Sequence, residues 1–256
     1  MKFIDTHTHL YLPEFDDDRD VVINNAIEKN IEKMVLPNID STTINNLLDL
    51  SKKYPQNCFP AIGLHPSSVD KNYKEELSIL EKYLERESFY AIGEIGIDLY
   101  WDKTFIKEQE EAFLYQINLA KRINLPIIIH ARDSFDEIFK IVEKENNEKL
   151  NGIFHSFTGN IEQANKIIQW GFKIGLGGIL TFKNSNLDKV VKEIDLKHIV
   201  LETDSPYLAP TPKRGKRNES SYLVYIAEKI AQIKNISISE VAQVCYKNSC
   251  DVFKFN

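Results

Sequence analysis

Short apolar runs alternate with longer amphipathic stretches along the whole chain, and that rhythm limits the folds open to it. Strand-like runs lie at Lys2–His9, Lys33–Pro37, Phe59–Leu64, Tyr90–Ile95, Pro126–His130, Gly152–His155, Phe172–Gly177 and His198–Thr203. Helical patterns fall between them, over 17–30, 41–54, 73–87, 106–124, 134–146, 160–170, 185–194 and 220–235. Strands alternating with helices predict βα units and a parallel sheet. Eight such units in 256 residues match a TIM-like (β/α)8 barrel, whose usual length is about 250 residues. The first strand is not followed by the Gly-rich fingerprint of an open dinucleotide-binding sheet. A further helix is expected near Ser239, after a strand-like Ile236-Ser237-Ile238, as a C-terminal cap. No linker or low-complexity tract interrupts the pattern, so residues 1–256 read as one domain.

Side chains at the C-terminal ends of barrel strands converge on one face although they are distant in sequence. Metal-ligand residue types fall at those ends. His7 and His9 close the first run, two residues apart, so an extended backbone points both imidazoles the same way. His65 follows the third, Glu94 the fourth, His130 the fifth, His155 the sixth and Asp204 the eighth. Of six histidines only His198 stands at the opposite end of its strand, and it is assigned no role. A single histidine there is usually structural, and a single acid is usually a helix cap. Grouped, they would crowd one rim with buried polar and charged groups, which divalent cations relieve. Imidazole and carboxylate suit zinc, manganese or related ions, and the lack of thiolates argues against a purely structural zinc site. His7, His9, Glu94, His130, His155 and Asp204 exceed the needs of one tetrahedral ion and suit two ions sharing a carboxylate.

The formal net charge is -6, so a polyanion would need a local basic patch. One follows Asp204: Lys213, Arg214, Lys216 and Arg217 surround Gly215 behind two prolines. Hanging over the rim, Arg214 and Lys216 would hold phosphate oxygens. Tyr100 and Trp101 follow the fourth strand, where they can stack on bases or cover the helix behind them. Cys58, Cys245 and Cys250 form no Cys-x-x-Cys motif and fit a reducing, cytoplasmic setting. No apolar run reaches the length of a membrane span, no signal peptide is legible, and no exposed apolar stripe calls for a partner subunit. A cytoplasmic monomer is expected.

At these residues the chain resembles the TatD family of metal-dependent hydrolases, within the amidohydrolase-like barrels. The resemblance rests on Asp5-Thr6-His7-Thr8-His9, Gly63-Leu64-His65-Pro66, Gly93-Glu94-Ile95-Gly96-Ile97-Asp98 and Leu125-Pro126 through His130-Ala131-Arg132. It continues in His155-Ser156-Phe157-Thr158-Gly159, Glu202-Thr203-Asp204-Ser205-Pro206-Tyr207 and Arg214-Gly215-Lys216-Arg217-Asn218-Glu219. It implies a barrel and metal-dependent deoxyribonuclease activity, 3′→5′ on single-stranded DNA, with metal-activated water. It implies His7, His9 and Asp204 on one divalent ion (zinc, manganese or magnesium), His130 and His155 on a second, and Glu94 bridging. His65, Glu202 and Arg214 would face the substrate, and Asp204 would orient the nucleophile and take its proton. The last loop departs from the family's Asn-Glu-Pro pattern, since Ser220 and Ser221 precede Tyr222, and Leu99-Tyr100-Trp101-Asp102 also differs from the commonest pattern. The same scaffold supports another reading, hydrolysis of ester or amide bonds such as those of D-aminoacyl-tRNA.

Overall fold

The computed structural model describes residues 1–255. Eight strands run parallel in chain order: β1 Phe3–Asp5, β2 Ile31–Leu36, β3 Cys58–Pro60, β4 Ile92–Asp98, β5 Ile127–Arg132, β6 Gly152–Phe154, β7 Lys173–Leu176 and β8 Ile199–Leu201. Hydrogen-bonded ladders join β1 to β3 and β4 to β8. Single bridges carry the sheet across the two seams. Ile62 pairs with Ile92, and Thr8 beyond β1 pairs with Ser205 beyond β8. The result is the expected α/β barrel of TIM type, wrapped by α1 Arg19–Glu28, α2 Ile44–Lys53, α3 Tyr73–Leu84, α4 Ile106–Ile123, α5 Phe135–Glu145, α6 Ile161–Gln169, α7 Leu187–Glu193 and α8 Leu223–Lys234.

The core has two layers. Most buried aliphatics and aromatics lie in one cluster that joins helices to sheet, including Ile117 of α4 and Ile226 of α8. A second cluster joins Val35, Ala61, Ala91, Ile128, Ile153 and Val200 from strands all round the barrel, so it fills the interior. Val252 and Phe253 join it from the ninth helix, α9 Ile238–Phe253, and Phe255 packs 4.6 Å from the Phe59 ring. The chain end therefore stoppers the barrel, which leaves the other mouth for chemistry. α9 starts earlier than its sequence pattern suggests. Ser237 is the N-cap, its hydroxyl accepting from the Glu240 amide at 3.1 Å, so the strand-like residues before Ser239 already belong to the helix and its cap.

β4 also departs from expectation, in a way that matters for function. It runs on to Asp98 and does not end at Glu94. Between Ile92 and Ile95 it advances three residues while β5 advances two, from Ile127 to Ile129. That bulge lies at Gly93 and Glu94 and re-aims the Glu94 side chain. Beyond it the strands come very close: a Cβ at Gly96 (φ 147°) would stand 2.0 Å from the His130 carbonyl oxygen. Gly96→Ala should therefore cost about 3 kcal/mol of unfolding free energy, through strain and lost pairing. Denaturant titration checks this, and an unchanged midpoint contradicts it.

Candidate metal centre

The bulge puts Glu94 at the centre of a cluster in which only 2% of its surface is exposed. Its two oxygens face different neighbours. Oε2 lies 3.1 Å from His7 Nε2 and 3.8 Å from His9 Nε2. Oε1 lies 2.7 Å from His130 Nδ1, 3.4 Å from His65 Nε2 and 3.6 Å from His155 Nε2. Asp204 Oδ1 approaches His9 Nε2 at 3.5 Å and His7 Nε2 at 3.8 Å. All six side chains expected as metal ligands therefore meet, with His65 beside them. Three groupings each bring their ligand-type atoms within 4.8 Å of one another: His7 with His9 and Glu94, His7 with His155 and Asp204, and His65 with Glu94 and His130. His155 stands between the two sides of Glu94, its ring stacked 3.4 Å from that of His7.

The second nitrogen of each ring shows what the first one offers. Tyr11 donates its hydroxyl to the Pro37 carbonyl at 2.6 Å, so its oxygen accepts from His9 Nδ1–H at 3.0 Å and leaves the Nε2 lone pair facing Glu94. Asp98 holds His130 by Nε2 at 2.9 Å, which turns Nδ1 towards Glu94. Glu202 lies 3.0 Å from His155 Nδ1, which turns Nε2 inward. The Asp98–His130 and Glu202–His155 contacts are carboxylate–histidine pairs of the kind that orient metal ligands, the second an ion-pair contact outside hydrogen-bond geometry. His65 is the exception. Its Nδ1 accepts from the Ser67 backbone N–H at 3.0 Å, so the neutral ring carries its proton on Nε2 and offers a hydrogen bond.

Lone pairs that face carboxylate oxygens at such distances repel unless a proton or a cation lies between them. This is the fit expected of a metal site, and the buried His7 Nδ1 has no protein partner of its own. Protonation follows the same logic. Burial opposes charge on His130, but Asp98 and Glu94 outweigh it and raise the ring to about 8. Burial opposes charge on His155 too, and Glu202 and Glu94 raise it. His7 is lowered to about 4 by burial and by the His155 charge. Burial would raise Glu94, yet the surrounding histidines hold it well below the usual carboxylate range. Asp5, pushed up to about 7 by burial, ties the first strand to the eighth by accepting from the Thr203 hydroxyl at 2.6 Å and amide at 2.9 Å.

The cluster opens into a cavity of about 500 Å³ lined also by Ser67, Asp98, Trp101, Arg132, Tyr207 and Leu208. Three of the expected substrate contacts stand outside the lining of this cavity. Glu202 is fully buried behind His155, accepts from the Ser156 amide at 2.5 Å, and does not line the cavity. Arg214 is exposed and stacks 3.8 Å from the Phe182 ring centre, and Lys216 is exposed on the same loop; neither lines the cavity. That loop is pulled aside by Arg217, which donates to both Asp18 carboxylate oxygens at 2.9 and 2.7 Å and to the Glu14 carbonyl. Arg132 brings a guanidinium to the cavity wall. Sequence reasoning passed over Asp98, Arg132, Tyr11 and Tyr207. Asp98 was within reach of it, because alternation puts residues 94, 96 and 98 on one face.

The description TatD related DNase belongs to a family model that matches residues 4–254. A Bacillus subtilis protein named as an uncharacterized metal-dependent hydrolase, YabD, is 40% identical over 253 residues, covering 98% of this chain and 99% of its own. A similarly named protein of Methanocaldococcus jannaschii is 36% identical over 256 residues, covering 99% of this chain and 98% of its own. The crystal structure of YjjV, a TatD homolog from Escherichia coli, superposes with a TM-score of 0.93 at 29% identity, covering 99% of this chain and 98% of that one.

Metal affinity should rise with pH. Because the folded His130 value lies above the ordinary 6.5, protonated His130 stabilises the metal-free protein below about 6.5. That contribution is lost as pH climbs through about 8, and a cation takes up the freed nitrogen. Zinc titration calorimetry in buffers of different ionisation enthalpy should show proton release across this interval. In Asp98→Asn the release should move to lower pH. Affinity independent of pH contradicts the assignment.

Proposed function

The chain belongs to the TatD-related DNase family of metal-dependent hydrolases, and from that premise we propose that it is a two-cation phosphodiesterase acting 3′→5′ on single-stranded DNA. The observation that carries this reading is the division of Glu94: one oxygen towards His7 and His9, the other towards His130, His65 and His155. The donor set suits one divalent cation held by His7, His9 and Asp204, a second held by His130 and His155, and Glu94 between them. Cations bound there supply charge neutralisation at the phosphoryl oxygens and acidify water.

The protein's own groups do the remaining work. Asp204 is held below the usual carboxylate range: burial opposes this, and the neighbouring His9, His155 and His7 outweigh it. It is therefore ionised at neutral pH, and with its side chain 14% exposed it can orient an incoming water and accept its proton. His65, with its proton on Nε2, donates to a non-bridging phosphoryl oxygen as charge builds there. Tyr11, Asp98 and Glu202 keep three imidazoles in the tautomers that leave the inner nitrogens free. The whole chain acts as one hydrolase domain in this reading. The free thiols of Cys58, Cys245 and Cys250 support a reducing, cytoplasmic setting, and among the described residues no helix is long and apolar enough to cross a membrane.

The test compares a single-stranded oligonucleotide with D-aminoacyl-tRNA under magnesium, manganese and zinc. The wild type should shorten the oligonucleotide from its 3′ end. Glu94→Ala and Asp204→Ala should each lower kcat on the order of 10³-fold while the fold persists by circular dichroism. Full activity in either variant overturns the reading. Deacylation without DNA loss transfers the site to ester hydrolysis.

A further inference from the structure

Trp101 and Tyr100 are 70% and 54% exposed, on the loop that follows β4. Leaving rings of this size in water forgoes a large burial term, so exposure at the mouth of the cavity points to a ligand. Both Trp101 and Arg132 line the cavity that holds Glu94 and His130. The Arg132 guanidinium lies 3.9 Å from the Tyr100 ring centre and 5.2 Å from that of Trp101. Among the described residues no carboxylate forms an ion pair with it. Its flat face is spent on the rings, and its N–H edge is free for an anion. Tyr207, 47% exposed, stands on the loop after β8, half a barrel away from β4, with its ring 6.2 Å from that of His9. Aromatic groups thus flank the cluster from both sides.

The loop is built into the metal centre. One Asp98 oxygen accepts from the Tyr100 amide at 2.9 Å and the Trp101 amide at 3.4 Å, while the other holds His130 at 2.9 Å. The Leu99 amide donates to the Arg132 carbonyl at 2.9 Å. A single carboxylate therefore fixes both a ring of the cluster and the backbone that carries the exposed aromatics.

We propose that Trp101, Tyr100 and Arg132 form a subsite for an unpaired nucleobase and its neighbouring phosphate, with Tyr207 as the facing wall. The base stacks on the Trp101 ring, and Arg132 donates to the phosphate next to the one being cleaved. Stacking accepts any base, because each has a π face, but a paired base is already stacked in its duplex. The subsite therefore selects unpaired ends without selecting sequence. This rests on the nuclease reading above.

The experiment measures KM and kcat on a thymidine oligonucleotide and on the same oligonucleotide carrying abasic residues at its three terminal 3′ positions. Trp101→Ala should raise KM on the intact oligonucleotide about tenfold. On the abasic one, where the wild type is itself impaired about tenfold, the variant should add less than about twofold. Trp101→Phe keeps a ring and should recover most of the affinity. Arg132→Ala should raise KM on both and flatten its dependence on salt. Equal Trp101→Ala effects on the two substrates, or none with DNA still cleaved, overturn the subsite and leave the nuclease reading standing. If the wild type cleaves no DNA, the nuclease reading fails and the subsite with it.

Discussion

A buried carboxylate ringed by five imidazoles is the constraint on which the rest of this structure depends. Glu94 is removed from water at a point where histidines approach both of its oxygens. Such a group is tolerated only when positive charge lies beside it. Without metal, protons on His130 and His155 serve that purpose, and their raised values follow from it. Cations bound in the same gaps would replace the protons. In either state the second nitrogens of His9, His130 and His155 would face Tyr11, Asp98 and Glu202, groups that do not depend on the cations.

The barrel delivers these groups by simple means. Parallel strands in chain order bring their C-terminal ends to one mouth, and α9 closes the other with Val252, Phe253 and Phe255. The bulge in β4 aims Glu94 inward, and Gly96 admits the His130 carbonyl against the strand. Gly175 serves a similar purpose behind His155: a Cβ there would lie 2.3 Å from Glu202 Oε2. Arg132 at the end of β5 and Trp101 and Tyr207 on the loops line the open side of the cluster.

Much of this was legible in the chain. The βα rhythm carried the fold class, and residue types at strand ends carried the six metal-type side chains, because both depend on local periodicity. Strand limits were less legible. His7 and His9 lie beyond the regular part of β1, held extended by the bridge from Thr8 to Ser205, a long-range pairing with no local signature. The partners of the basic loop were illegible for a related reason. Its cations suggested phosphate, yet Arg217 is committed to Asp18, about two hundred positions earlier, and Arg214 to the ring of Phe182. Charge composition cannot reveal such partners. Glu202 was expected at the substrate from the family resemblance alone. Alternation would put residues 202 and 204 on one face, but β8 ends at Leu201 and Asp204 takes a positive φ of 58°, and Glu202 goes behind His155.

The central claim is that each oxygen of Glu94 serves its own cation. The most direct measurement is anomalous diffraction from crystals soaked in manganese, compared between wild type and Glu94→Gln. The account predicts two manganese peaks in the wild type, one on each side of the Glu94 carboxylate, roughly 3.5–4 Å apart, and loss of at least one in the variant. A single peak at saturating manganese, or two peaks that persist unchanged in Glu94→Gln, would contradict it.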